Sequence, residues 1–167
     1  MSNIEDIKNV SALEQKLSAA EMIQYGKFSN NIRKLQYLLS HSIVKDVCGE
    51  NIITGEKGVP TIKSGFVSIA HKDNLVVVAF SDKTVGIDIE NTTIDRDFNA
   101  ESELLKLPKP KDKMDFYKNF VKYESHIKFG NGAENANTYF YDKGDFLIGV
   151  CSFDSEQDIQ FISFCAE

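Results

Sequence analysis

The stretch TVGIDIE, residues 84–90, reads as a β-strand that carries two acidic side chains among apolar ones. Because the side chains of a strand alternate between its two faces, Asp88 and Glu90 point to one face and the apolar residues point to the other. Neighbouring carboxylates repel, and burying an unpaired charge costs several kcal/mol, so we expect a cation between them. Such oxygen ligands favour Mg²⁺, Mn²⁺ or Ca²⁺. A strand whose acidic face lies in water is the alternative that the pattern leaves open.

The composition is that of a chain able to bury a core of its own. Its 167 residues are 42% hydrophobic, which predicts one domain or two small subdomains that share a core. The net charge of -6 argues against nucleic acid as a partner. No apolar run reaches the ~20 residues that span a bilayer, and the N-terminus is not typical of a signal peptide. We therefore expect no membrane partner and a cytoplasmic location.

The three cysteines, Cys48, Cys151 and Cys165, are odd in number and lack C-x-x-C spacing. Neither a disulfide framework nor a zinc site is predicted. We expect three reduced and buried thiols.

Helical spacing of apolar residues predicts two helices early in the chain. The first covers residues 11–25 after an N-cap at Ser11. The second begins at an asparagine cap, ends at Gly49 and has an apolar face directed at the core. That face comprises Ile32, Leu35, Leu38, Leu39, Ile43 and Val47. Glycines and Pro60 then predict a loop with short extended pieces.

The middle of the chain predicts a β-hairpin followed by the acidic strand. Residues 66–70 and 75–80 form the hairpin, with the turn HKDN between them. Residues 91–113 read as an irregular connection, because the prolines of LPKPKDK argue against a long helix.

The last part of the chain repeats this order of a helix and then strands. A helix is predicted from a cap at Asp115 to Gly130 or Gly132, with strands in residues 137–153 and 158–166. The repetition suggests an internal duplication, although hairpins of α+β proteins often look alike.

The fold class that follows is α+β, with two similar subdomains of antiparallel strands related by a pseudo-twofold axis. The subdomains cover residues 1–87 and 88–167 and form one compact domain.

The second long helix carries Glu124 and Lys128 one turn apart. Alone, such a pair would be a surface ion pair worth a few tenths of a kcal/mol. Together with Asp88 and Glu90, however, Glu124 completes an acidic cluster of the size that a divalent ion needs. Three acids and a lysine around Mg²⁺ suggest phosphate chemistry, because the metal neutralises charge on phosphate oxygens.

Two motifs at this spacing resemble the paired signature of the 4'-phosphopantetheinyl transferase superfamily. VGIDIE, followed about 35 residues later by FVKYESHIK, is similar to that family's Gly-x-Asp-x-Glu strand and its helix with Lys-Glu, Ala or Ser, and Lys. VSIAHKDNLVVVAF resembles the family's ISHS strand and hairpin. LSAAEMIQYGKF and RKLQYLLSHSIVKDV resemble its N-terminal helical region. The likeness covers roughly residues 17–130.

The resemblance implies the two-subdomain type of this fold, with coenzyme A and Mg²⁺ bound between the subdomains. It implies holo-acyl-carrier-protein synthase activity, in which the 4'-phosphopantetheine arm moves to a serine of an acyl or peptidyl carrier protein. Asp88, Glu90 and Glu124 would hold the metal, directly or through water. Glu124 would also help to deprotonate the serine, and Lys128 would steady the pyrophosphate.

The resemblance also implies residues that bind coenzyme A. His71 matches the family's phosphate-contacting histidine, although a lone histidine in a hairpin turn is also typical of a solvated one. Arg33 and Lys57 could replace the basic residues with which the family grips the 3'-phosphate and adenine. The lysines of PKPKDK, with Lys118 and Lys122, are the expected docking patch for an acidic carrier protein, or a solvated loop. A monomer is expected.

Departures from the family pattern leave other hypotheses open. Tyr123, Ala70, Glu21 and Gln24 stand where the family sets lysine, serine and basic residues. A non-catalytic relative that acts as a binding or scaffold module would account for them. A metal-dependent phosphodiesterase or nuclease is a third hypothesis, but it should carry a basic channel, of which this acidic chain gives no sign.

Overall fold

The computed structural model describes residues 1–54 and 59–159, which form two antiparallel β-sheets and five α-helices. The strands are β1 (Ser2–Asn3), β2 (Ile53–Thr54), β3 (Pro60–Ile62), β4 (Gly65–Lys72), β5 (Leu75–Ser81), β6 (Val85–Asn91), β7 (Asn137–Lys143) and β8 (Phe146–Ser152). The α-helices are α1 (Val10–Glu14), α2 (Ala19–Tyr25), α3 (Asn31–Cys48), α4 (Phe98–Leu105) and α5 (Lys113–Phe129).

The first sheet has the strand order β1-β5-β4-β3-β2, and the second has the order β6-β8-β7. Every pair of neighbours is antiparallel. The sheets meet along β4 and β6, where the backbone N–H of Ile87 donates to the hydroxyl of Ser68 over 3.1 Å. The α+β class with antiparallel strands is therefore confirmed. The pseudo-twofold axis and the division after residue 87 stay predictions.

The core has three main layers of apolar side chains. α3 packs on the first sheet through Leu38 and Leu39, which are fully buried. Ile87 of β6 and Val150 of β8 pack between the two sheets. α5 covers the second sheet, with Val121 against Leu147. Both long helices thus lie on the outer faces of the sheets, and β6 lies in the middle of the molecule.

The helix predicted for residues 11–25 is two short helices, so the Ser11 cap is wrong. Asn9 caps α1 by accepting the backbone N–H of Ala12. α2 has its own start, because Ser18 and Glu21 form a capping box in which each side chain accepts the other's backbone N–H. These local hydrogen bonds interrupt the apolar spacing and start a new helix.

The ends of α3 confirm the prediction from its caps. Asn30 accepts the backbone N–H of Arg33 at the start, and Gly49 ends the helix with a φ of 68°, a conformation that glycine adopts without strain. The predicted core face is wrong at two positions, because Ile32 and Val47 are each 47% exposed. They lie in the first and last turns, whereas the buried leucines lie in the middle of the helix.

The predicted hairpin of β4 and β5 is confirmed, but its turn is shorter than HKDN. Lys72 pairs with Leu75 and His71 pairs with Val76, so only Asp73 and Asn74 make the turn. His71 is therefore a strand residue, and its placement in the turn is wrong.

The connection of residues 91–113 contains the helix α4, which the sequence analysis did not predict. Asp97 caps this helix by accepting the backbone N–H of Ala100 over 3.0 Å. The two turns of α4 end before the prolines begin. The prolines argue only against a long helix through the whole connection, so they do not exclude this short one. The N-cap of α5 is Asp112, whose side chain accepts the backbone N–H of Asp115, so the predicted cap at Asp115 is wrong.

The last hairpin is confirmed as β7 and β8. Most of the strand predicted for residues 158–166, together with Cys165, lies outside the described residues. Cys151 is a buried free thiol whose pKa burial raises to about 11, and Cys48 is a half-buried free thiol. Within the described ranges, no helix combines the length and apolar character needed to cross a bilayer.

Candidate functional site

The acidic strand β6 lies directly under α5, and a glycine makes this contact possible. A Cβ atom on Gly86 would lie 2.0 Å from the backbone oxygen of Ser125 in α5. Asp88 and Glu90 share the face of Gly86, as the alternation of a strand predicts. Both acids are buried, at 7% and 8% exposure, so the alternative of a solvated acidic face is wrong.

Asp88 has one paired and one unpaired carboxylate oxygen. Its Oδ1 accepts a hydrogen bond from Nζ of Lys128 over 2.8 Å. Its Oδ2 is buried and accepts no well-aligned hydrogen bond from any residue that the structure describes, although the backbone N–H of Ile89 interacts with the carboxylate and lowers its pKa. Burial raises the pKa of Asp88, the positive charge of Lys128 lowers it, and the negative charge of Glu124 adds to the increase. A buried oxygen without a well-aligned donor is costly and is characteristic of a site that binds something.

Glu90 is neutralised by cations of the protein itself. Its Oε2 lies 2.7 Å from Nζ of Lys72 and 3.5 Å from Nη2 of Arg96. Arg96 is also 3.1 Å from a carboxylate oxygen of Glu101. The guanidinium lies over three aromatic rings of α5, those of Phe116, Tyr117 and Phe120. Burial raises the pKa of Glu90, while Lys72 lowers it.

The predicted metal ligands are brought to one region but do not form a closed cluster. Among residues 1–54 and 59–159, no group of three or more His, Cys, Asp or Glu residues could hold a metal ion. Half-buried Glu124 lies close enough to Asp88 for its charge to act on that carboxyl. Mg²⁺ commonly takes one or two carboxylates from a protein and completes its shell with water and phosphate. The free Oδ2 of Asp88 together with Glu124 fits that requirement, while Glu90 is occupied by Lys72 and Arg96.

His71 and Arg33 lie beside this acidic site. Nη1 of Arg33 is 2.5 Å from Nε2 and 2.8 Å from Nδ1 of His71, and it is 3.2 Å from Oε1 of Gln36. Partial burial and the positive charges of Arg33 and Lys128 lower the pKa of His71. The imidazole is therefore neutral at pH 7 and accepts a hydrogen bond from the guanidinium. The charge of Lys128 acts on both His71 and Asp88, which joins the two groups into one site.

A cavity of about 770 Å³ opens at Arg33 and His71 and runs between α2, α3 and strands β2 to β4. This volume lies within the range of small-molecule sites. Buried Glu21, Gln36 and His41 line its interior, and exposed Gln24 lies on its rim.

Glu21 is the centre of a buried hydrogen-bond network in this cavity. Its Oε1 accepts from Nδ1 of His41 over 2.7 Å and from the backbone N–H of Ile52 over 3.2 Å. Its Oε2 accepts from the backbone and the hydroxyl of Ser18. Burial raises the pKa of Glu21, but the hydrogen bonds outweigh this and lower it overall. Burial lowers the pKa of His41, whose ring stacks on Tyr37.

Several residues of this region were not found from the sequence. His41, Lys72 and Arg96 are absent from the predicted site. A signal for His41 was present, because the capping box fixes Glu21 at the start of α2 and a buried acid needs a partner. Nothing local marks Arg96, whose partners come from α4, α5 and β6.

The remaining predicted positions are less informative. Ala70 is buried between the sheets, so this departure from the family pattern does not face the cavity. Tyr123 is half-buried on α5. Lys57 lies outside the described residues. Lys118 and Lys122 are exposed, which is compatible with a docking patch.

No protein-family model and no curated protein sequence matches this chain. The resemblance therefore stays an expectation based on its two motifs.

Proposed function

We propose that this protein is a 4'-phosphopantetheinyl transferase, which moves the phosphopantetheine arm of coenzyme A to a serine of an acyl or peptidyl carrier protein. The observation that carries the proposal is the buried oxygen of Asp88, which has no well-aligned donor among the described residues and lies beside Lys128 and Glu124. The charge of Lys128 also acts on His71, which lines a cavity of about 770 Å³. An anion-binding site next to a nucleotide-sized cavity fits a donor that carries a pyrophosphate and a nucleoside. On composition, a cytoplasmic monomer is the form that we propose.

The residues have distinct roles in this proposal. Asp88 and Glu124 would hold Mg²⁺, which when bound neutralises charge on the pyrophosphate. Lys128 would donate to pyrophosphate oxygens, and Arg33 would do so from the cavity mouth, where neutral His71 accepts from it. Lys72 and Arg96 hold the carboxylate of Glu90, so Glu90 would support the site without binding the metal directly.

The reaction balances without any other reactant. The serine oxygen forms a bond to the phosphorus that bears pantetheine, while the bond from that phosphorus to the nucleotide oxygen breaks. The serine proton passes to Glu124 and then to solvent. Adenosine 3',5'-bisphosphate leaves with the electron pair of the broken bond.

The test is titration of coenzyme A into the protein by calorimetry, with and without Mg²⁺, together with a mass measurement of apo carrier proteins after incubation. Binding that depends on Mg²⁺, with carrier mass increased by one phosphopantetheine, is expected for the natural chain. Asp88→Ala should abolish both. Asp46→Asn is the matched control, because this acid forms a surface ion pair with Lys16 and should leave both unchanged.

A binding or scaffold module is the second candidate, because internal cations already neutralise both acids of β6. Lys128 pairs with Asp88, and Lys72 and Arg96 pair with Glu90. Such a module would bind a partner protein, would have lost efficient binding of coenzyme A, and would leave the carrier mass unchanged. That result would reject the transferase proposal.

A further inference from the structure

Among the lining residues that the structure describes, positive charge lies at the mouth of the cavity and not in its interior. Arg33 is the only lysine or arginine among its described lining residues, and it is exposed at the mouth. Its guanidinium contacts His71 and Gln36. Lys72 and Lys128 pair with the acids of β6, outside the cavity lining.

The interior instead contains a negative charge. The net lowering of the pKa of Glu21 keeps this carboxylate ionised at pH 7, and His41 beside it is neutral because burial lowers its pKa. The other polar side chains that the structure describes in the interior are uncharged. The side-chain amide of Gln36 donates to the backbone oxygen of Asp73, and the hydroxyl of Ser40 donates to the backbone oxygen of Tyr37.

This distribution restricts which end of a donor can enter the cavity. In the proposed function, Lys128 and Arg33 hold the pyrophosphate, and we place the nucleoside in the cavity, which Arg33 and His71 line. A phosphate monoester on that nucleoside would need charged donors, which bind phosphate far better than neutral ones. It would instead lie in a buried space that contains Glu21, where like charges repel strongly. A ribose with free hydroxyl groups meets neither obstacle.

We infer that the donor of this transferase carries no phosphate on the 3'-oxygen of its ribose, so that 3'-dephospho-coenzyme A is the preferred substrate. The inference rests on the proposed transferase function. The serine oxygen forms the same bond to phosphorus, the proton leaves in the same way, and the leaving group is adenosine 5'-monophosphate.

The test compares coenzyme A and 3'-dephospho-coenzyme A, each titrated into the full chain with Mg²⁺. 3'-Dephospho-coenzyme A should bind at least ~10-fold more tightly. Gln24→Lys places a cation at the rim of the cavity and should reduce this ratio several-fold. Ile23→Lys is the matched control, because this neighbour on α2 is 68% exposed and does not line the cavity. It should leave the ratio unchanged.

The outcomes separate this inference from the proposed function. Equal affinity, or tighter binding of coenzyme A, would overturn the inference, while transfer from either donor to a carrier protein would still support the transferase. If coenzyme A binds more tightly and Lys57→Ala removes this preference, the inference is overturned as well, because Lys57 then holds the 3'-phosphate. Failure of both donors to bind would reject both proposals.

Discussion

Replacing Gly86 by alanine tests whether the contact between β6 and α5 builds the acidic site. The added Cβ would lie 2.0 Å from the backbone oxygen of Ser125 and 2.7 Å from the backbone nitrogen of Phe129. Both neighbours are helix backbone, so neither can turn aside as a flexible side chain could. α5 would have to move away by about 1 Å, because a close-packed interior leaves no space for the new atom.

The cost follows from this forced movement. Overpacking of a core typically costs about 1–3 kcal/mol, and contact with rigid backbone on one side places Gly86→Ala at the upper end. For a chain of this size, about 3 kcal/mol lowers the melting temperature by roughly 6–12 °C. The movement would also separate Lys128 on α5 from Asp88 on β6, which are now 2.8 Å apart. Loss of ligand binding should therefore accompany loss of stability.

Urea and thermal unfolding of Gly86→Ala measure the effect, with Gly26→Ala as the control. Gly26 has a φ of -63°, and a Cβ there would lie 3.5 Å from the nearest atom, the backbone oxygen of Met22. The control should stay within about 0.5 kcal/mol of the natural chain or gain stability. If Gly86→Ala is as stable as Gly26→Ala, the close packing of α5 on β6 is refuted.

The raised pKa of Asp88 means that the folded chain binds its proton more tightly than the unfolded chain does, so stability should fall as pH rises from about 4, the pKa of an unfolded aspartate, through the pKa of Asp88 in the folded chain. Asp88→Asn should flatten this decline in urea titrations, and an unchanged slope would contradict the assignment. Arg96→Ala should cost about 2 kcal/mol in the same assay, because buried Glu90 loses one of its two half-buried cations. A loss below about 0.5 kcal/mol would mean that Lys72 suffices. Lys109→Glu with Lys111→Glu should slow carrier modification without changing the affinity for the donor, and an unchanged rate would exclude this loop from docking.

Local signals predicted the elements whose ends depend on neighbours in the chain. Asn30 and Gly49 mark the ends of α3 because their caps involve residues within a few positions. The alternation in β6 placed Asp88 and Glu90 on one face. The same kind of reasoning failed for α4, because the prolines that follow it suggested irregular structure although Asp97 supplies a normal cap. It failed for residues 11–25 because apolar spacing continued across a capping box.

The sequence by itself determined the α+β class, the faces of β6 and the residue types of an acidic site next to a lysine. Only the tertiary structure decided the partners of those residues. Lys128 lies 40 positions from Asp88 and Arg33 lies 38 positions from His71, and each pair meets because a helix is packed on a particular sheet. Periodicity and caps depend on nearby residues and contain no information about this packing. The charge balance of the cavity, with Glu21 inside and Arg33 at its mouth, depends on the same packing and could be read only from the folded chain.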